Sequence, residues 1–200
     1  MSNYHFAPSP SYGIGDHDFV TWTNAFSEEE LQRLEKYCDS LELVDSVVGN
    51  NETPGEDTRI SKVGWINYNN DSFFLYDRLA SVARNLNGQF YRFNIHGFSE
   101  DMQFTVYDGS ETGHYNWHVD SGNPSSNFPP RKLSMVLQLS SPEDYEGGDL
   151  EIFASKEPEK VRKEKGLIAM FPSYRLHRVT PVTSGVRKTI VVWICGPSFV

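Results

Sequence analysis

The sequence predicts a mainly β domain, a sandwich or barrel of short strands with two helices laid over one face. Three observations carry this. Two amphipathic stretches with helix-start signals lie before Gly88, and short β-prone stretches follow one another from Gln89 to Cys195. Clusters of Gly, Pro, Asn and Ser separate those stretches at the spacing of an all-β fold.

The length, 200 residues, matches one domain, and a chain of that size buries roughly 70% of its unfolded surface without help from disulfides or metals. With 38% hydrophobic and 14% aromatic residues, the chain is too apolar to be disordered. No apolar run approaches the ~20 residues of a membrane span. The net charge of −9 argues against nucleic acid as partner, since phosphate binding needs clustered Lys and Arg. Met1–Asp18 holds no Lys or Arg, unlike a signal or transit peptide. Together with two widely separated cysteines, Cys38 and Cys195, this gives the expectation of a cytoplasmic protein with free thiols.

Taken in order, residues 1–20 read as an irregular arm, with Pro8, Pro10, Gly13 and Gly15 and no periodicity. Residues 21–88 read as support. Ser27 and Glu30 form a capping box, and Leu31, Leu34 and Leu41 continue as a helical stripe. Leu43–Val48 and Ile60–Tyr68 read as strands, with the turn-rich run Gly49–Asp57 between them. Asp71 or Ser72 caps a second helix whose apolar side is Phe74, Leu75, Leu79, Val82, Ala83 and Leu86, ending near Asn87-Gly88. Residues 89–200 read as the β core. Its expected strands are Phe90–Ile95, Met102–Tyr107, His114–Asp120, Lys132–Ser140, Leu150–Ala154, Leu167–Phe171 and Arg187–Cys195. The charged stretch Ser155–Lys165 reads as a solvated hairpin loop.

Two settings among the six histidines suggest chemistry. In the run Gly113–Asp120, His114 and His118 would share a helix face, but the preceding Gly and the aromatic, β-prone content favour a strand. On a strand, His118 and Asp120 point the same way, about 7 Å apart along the backbone. His177 opens a second β-prone stretch. If packing brings it beside His118 and Asp120, two imidazoles and a carboxylate occupy one face of an octahedral metal, the arrangement that suits non-haem Fe(II). Zinc more often takes three or four protein ligands in a tetrahedron. His114 shares strand parity with His118 and is a substrate-side candidate. Tyr115 and Trp117 fall on the opposite face, as packing.

Arg187 shares parity with Thr189, Val191, Trp193 and Cys195 on the most apolar strand. A charge turned toward a core is costly unless paired, and no acid lies in this strand. Arg187 is then either a strand-end surface charge or the grip for a bound carboxylate.

His118-x-Asp120, then His177 after 56 intervening residues, then Arg187 ten positions on, resembles the Fe(II)- and 2-oxoglutarate-dependent dioxygenases. The likeness is narrower to the prolyl 4-hydroxylase superfamily, including small bacterial and phage hydroxylases. Gln103–Gly109, Ser140–Leu150 with its Gly147-Gly148, and Leu176–Val182 resemble further family segments; together they span Met102 to Cys195, with a weaker similarity at Thr58–Ser61 and Trp65.

The resemblance implies a double-stranded β-helix (a cupin-like jelly-roll) with Fe(II) held by His118, Asp120 and His177. It implies 2-oxoglutarate and O2 as co-substrates, with Arg187 on the distal carboxylate, Tyr107 near the co-substrate and ascorbate as reductant. Some relatives place a tyrosine where this chain has Gln138, so Gln138, Ser134 or Thr189 is the expected replacement. Arg59 and Trp65 match positions at the site mouth, and the turn-rich segments Gly49–Asp57 and Gly122–Arg131 flank it, with Phe128-Pro129-Pro130 as part of a lid. The implied activity is hydroxylation of an unactivated C–H bond, on a prolyl residue of a peptide or protein in procollagen-proline fashion, coupled to decarboxylation of 2-oxoglutarate to succinate and CO2. The alternatives are the same chemistry on another side chain, a free amino acid or a small molecule, and a non-catalytic jelly-roll binding module.

Overall fold

A computed structural model of the chain describes residues 17–46, 58–121, 129–154 and 156–198. The expected arm up to residue 16, the loop at 49–57 and the tip at 122–128 lie outside the described residues. The elements are β1 (Val20–Trp22), α1 (Glu28–Asp39), β2 (Val44–Asp45), β3 (Arg59–Ile60), β4 (Lys62–Ile66), α2 (Phe73–Leu86), β5 (Gly97–Phe98) and β6 (Met102–Asp108). They continue with β7 (His114–His118), β8 (Arg131–Gln138), β9 (Tyr145–Gly147), β10 (Leu150–Phe153), β11 (Pro158–Lys160), β12 (Ile168–Pro172), β13 (His177–Val179) and β14 (Val182–Cys195).

The strands form two antiparallel sheets. The larger runs β1-β12-β8-β14-β6-β4-β2, with β5 and β9 paired to β14; the smaller runs β11-β10-β13-β7-β3. Alternation along β14 assigns the two faces of the larger sheet. Ile190, Val192 and Ile194 point to a core shared with Leu31, Leu34 and Cys38 of α1 and Leu75, Leu79 and Leu86 of α2. The opposite face, with Tyr107 and Val136, meets Leu150, Ile152 and Val179 of the smaller sheet. The helices thus cover one side of the larger sheet and leave the inter-sheet space to the site.

The capping box of α1 is formed. Ser27 N–H donates to Glu30 Oε2 at 2.8 Å, and Glu30 N–H donates to Ser27 Oγ at 3.2 Å. Ser72 caps α2 by position only: its hydroxyl donates to the Asn67 carbonyl at 2.6 Å instead of accepting from the helix. The charged stretch after β10 forms a hairpin through β11 with its residues exposed at the tip.

The expected strand Phe90–Ile95 does not form. The chain leaves α2 through a π turn, Asn87–Tyr91, which Arg92 closes in the left-handed region (φ 52°). The Asn87 side chain explains this, donating to the Phe93 carbonyl and accepting from the Phe93 N–H, both at 2.9 Å. It supplies locally the backbone partners that a strand would need from a neighbour. Arg187–Cys195 proves to be the C-terminal part of the longer β14, which runs through Ser184-Gly185 with a register shift against β9.

Candidate active site

Three side chains converge between the sheets. His118 ends β7 and His177 opens β13, directly opposite each other in register. Asp120 lies two residues past the end of β7, its N–H bonded to the Ser173 carbonyl at 2.8 Å. Nε2 of His118 lies 3.7 Å from Asp120 Oδ1, and Nε2 of His177 lies 3.5 Å from Asp120 Oδ2. One ligand atom from each residue falls within 4.8 Å of the others.

Neighbours hold each group in that pose. The Nδ1 atoms pair with backbone carbonyls, His118 with Asn116 at 2.7 Å and His177 with Arg175 at 2.9 Å. Each Nε2 lone pair is thereby left facing the centre. Ser134 donates to Asp120 Oδ2 at 2.7 Å and shares a 3.1 Å hydrogen bond with Ser173. Burial, then the adjacent His177, push the His118 imidazole down to about 4. Burial alone would raise the Asp120 carboxyl, but His177, His118 and the Ser134 hydroxyl hold it below the usual range. At neutral pH the cluster therefore offers a neutral imidazole at His118 and a carboxylate at Asp120, the protonation states that metal ligation requires.

The cluster opens into a cavity of about 290 Å³, whose lining includes Arg187, Tyr107, Thr189, Arg59 and Trp65. Arg187 is 3% exposed. Its guanidinium lies 5.4 Å from the Tyr107 ring centre, it meets the Tyr145 hydroxyl, and its buried Nε has no hydrogen-bond partner. Arg131 in the same lining differs, since Glu100 neutralises it through two bonds of 2.6 and 2.5 Å. No such carboxylate meets Arg187 among the described residues.

Gly148 makes room for this cation. It sits at φ 61°, and a Cβ there would lie 3.0 Å from Arg187 Cδ and 2.8 Å from Val182 Cγ2. Only a residue without a side chain admits both the turn and the arginine stem.

The structure distributes the remaining expected residues unevenly. Tyr107, Thr189, Arg59 and Trp65 line the cavity. Ser134 is committed to Asp120. Gln138 faces a small adjoining cavity behind Arg187, where its Nε2 donates to Tyr145 Oη at 3.1 Å. His114 does not reach the main cavity; its Nδ1 pairs with the Thr112 carbonyl at 2.9 Å.

A bulge explains that departure. His118 pairs with His177 but Tyr115 with Val179, so three steps on β7 match two on β13. The extra residue breaks the parity between His114 and His118 and turns Tyr115 inward. The Tyr115 ring stacks on His118 with centroids 3.4 Å apart, and Arg59 lies 4.7 Å from the Tyr115 ring centre. Tyr115 therefore belongs to the site and not to packing on the far face.

Tyr145 is a further residue that strand parity did not single out. It lies in the Ser140–Leu150 segment, and its hydroxyl stands beside Gln138 and Arg187. It brings a phenol from β9 to the guanidinium.

Residues 102–195 match the model of the 2OG-Fe(II) oxygenase superfamily. These residues, just under half of the chain, resemble a 2OG-Fe(II) oxygenase domain. A PKHD-type hydroxylase of Synechococcus sp. (strain CC9902) is 45% identical over 86 residues, covering 42% of this chain and 38% of that protein. The matched stretch thus spans less than half the length of that relative. Among solved structures, a Pseudomonas putida prolyl-4-hydroxylase superposes with a TM-score of 0.72 at 19% identity, covering 91% of this chain and 94% of that one. A Trichoplax adhaerens prolyl hydroxylase in complex with a hypoxia inducible factor peptide fragment also gives 0.72 at 19% identity, covering 89% and 83%. The fold is that of the 2OG oxygenase jelly-rolls.

The family implies Fe(II), 2-oxoglutarate and O2, and the residues present fit them. Two imidazole nitrogens and a carboxylate form the donor set that suits Fe(II). Arg187 lines the cavity with its buried Nε unpartnered, a donor set that a bound carboxylate would satisfy.

Proposed function

We propose that the chain is an Fe(II)- and 2-oxoglutarate-dependent dioxygenase that hydroxylates a prolyl residue in a peptide or protein. One observation carries the reading. A His-Asp-His cluster with Asp120 and His177 buried and His118 half-buried, and a buried arginine with no carboxylate partner among the described residues, share one cavity.

His118, Asp120 and His177 would hold the iron, and Arg187 the distal carboxylate of 2-oxoglutarate. When bound, Fe(II) and 2-oxoglutarate with O2 supply the oxidising power to hydroxylate an unactivated C–H bond, giving succinate and CO2. The chain's own part is positioning and shielding. Backbone carbonyls orient both imidazoles, and Ser134 orients the Asp120 carboxylate. Tyr145, itself held by Gln138, braces Arg187 from behind. Tyr107 and Thr189 complete the wall beside the guanidinium. Phe171, fully buried with its ring centre 4.7 Å from that of His177, keeps water from that side of the cluster.

The prolyl reading draws support from the prolyl hydroxylases among the structural neighbours and from the aromatic lining that Trp65, Tyr115 and Trp193 give the cavity. Among the described residues Arg59 bonds only neutral groups there, Ser61 Oγ at 2.8 Å and Gln103 Oε1 at 3.0 Å. Its guanidinium is thus available to a substrate carbonyl. Mass spectrometry of proline-containing peptide libraries incubated with protein, Fe(II), 2-oxoglutarate and ascorbate tests the substrate. A gain of one oxygen on proline supports the reading. Succinate formation with no peptide oxidised would keep the oxygenase and discard the prolyl substrate.

A further inference from the structure

A second, open groove adjoins the active-site cavity. Trp65 lines both. The groove holds about 640 Å³, and beyond Trp65 its walls are Tyr68, Tyr76 and Phe98 with Glu100 and Asp101 on the rim. It is aromatic and solvent-facing: Trp65 is 43% and Tyr68 63% exposed. The rings form a ladder of edge contacts, Tyr68 on Tyr76 at 5.3 Å and Tyr76 on Phe98 at 5.9 Å between centroids. Tyr76 is held from below, its hydroxyl donating to the Ile66 carbonyl at 2.7 Å. The edge-on rings therefore stand as fixed ribs.

Trp65 and Tyr68 stand exposed, backed by the buried Tyr76 and the half-buried Phe98, and exposed aromatics side by side mark interaction surfaces. Ribs of this kind suit a polyproline II segment. Such a segment is extended in advance, presents proline rings for stacking and leaves its carbonyls free for donors such as Tyr68 Oη. The rim adds a sign. Arg131 neutralises Glu100, whereas the Asp101 carboxylate accepts from the Asn67 amide and meets no Lys or Arg among the described residues. In a chain of net charge −9, a cationic residue is the favoured neighbour.

We propose that this groove docks the part of the peptide substrate that flanks the reacting residue, and that it selects a proline-containing segment carrying Lys or Arg. The inference rests on the peptide reading above and adds where the chain lies and what its flank contains. A residue seated in the cavity hands the chain over Trp65 onto Tyr68. At ~3.1 Å per residue, a few further residues span the ribs.

The test compares two synthetic peptides, with binding read on the full chain loaded with Mn(II) and 2-oxoglutarate and hydroxylation read in a parallel reaction with Fe(II), 2-oxoglutarate, ascorbate and air. One is a short peptide with proline at its centre. The other is the same core extended on both sides by a proline–lysine repeat. Fluorescence anisotropy is expected to give the extended peptide about tenfold tighter binding, the scale of one aromatic anchor. Tyr68→Ala should remove that advantage, and Asp101→Lys should remove it for the proline–lysine extension but not for a proline–glutamate one. Thermal melting of each variant checks that it is folded. If the advantage survives both substitutions, or if the short core is hydroxylated and the extension adds nothing, the groove inference fails alone. If neither peptide binds or is oxidised although the protein forms succinate, the peptide reading fails and takes the groove with it.

Discussion

Replacing Arg187 by methionine separates a ligand-gripping charge from a structural one. Arg187 is 3% exposed, its Nε is unpaired, and its contacts are the Tyr145 hydroxyl and the Tyr107 ring. Among the described residues no carboxylate loses its partner when the guanidinium is removed. Exchanging a buried charge for an apolar side chain of similar volume is often neutral or stabilising. The loss of the tyrosine contacts offsets part of that gain, so unfolding free energy should stay within about 1 kcal/mol. Binding of 2-oxoglutarate should respond oppositely. Removing one partner of a buried charge pair costs about 3–5 kcal/mol, roughly 10²- to 4 × 10³-fold in affinity. Calorimetric titration of 2-oxoglutarate into Mn(II)-loaded protein without oxygen measures this, with Mn(II) titration and urea melts as controls. Weakening by less than about threefold, or a large stability loss with affinity unchanged, would refute the assignment of Arg187 to the dicarboxylate.

Further predictions follow from the same geometry. Ser134→Ala removes the hydroxyl that orients Asp120 and should weaken Mn(II) binding by roughly 10- to 100-fold, read by metal titration at constant pH. Gly148→Ala places a Cβ against Arg187 and Val182 at a positive φ; it should destabilise the fold and weaken 2-oxoglutarate together, seen in melts and titrations of one preparation. Ser27→Ala removes the α1 cap and should cost about 1 kcal/mol in urea unfolding, with 2-oxoglutarate affinity unchanged. Cys38 is fully buried, and burial pushes its thiol up to about 12. A thiol reagent at pH 8 should therefore leave Cys38 unmodified in native protein and modify it once urea unfolds the chain.

What the sequence made legible lies mostly on regular elements. Alternation along β14 put Arg187, Thr189 and Trp193 on one face and Ile190, Val192 and Ile194 on the other, and the structure places them so. The capping box and the Leu31–Leu34 stripe located α1 for equally local reasons. The departures arise where a side chain or a bulge overrides periodicity. The Asn87 amide turns an aromatic, strand-like run into a π turn. One extra residue in β7 exchanges the faces of His114 and Tyr115, which no count of positions along that strand alone would show. The bonds Ser134–Asp120 and Gln138–Tyr145, and the meeting of Tyr145 with Arg187, join different elements and depend on how the sheets stack. The Gly147-Gly148 motif was visible as a turn, but its role of admitting Arg187 appears only in three dimensions.

The central claim is that His118, Asp120 and His177 form the iron site of a 2-oxoglutarate oxygenase. Its most direct test is succinate formation from 2-oxoglutarate in air with added Fe(II), in wild-type protein and in Asp120→Ala side by side. The account predicts iron-dependent succinate from the wild type and none above background from the folded variant. Equal succinate from both, or none from a wild type shown to bind neither Fe(II) nor 2-oxoglutarate, would contradict it.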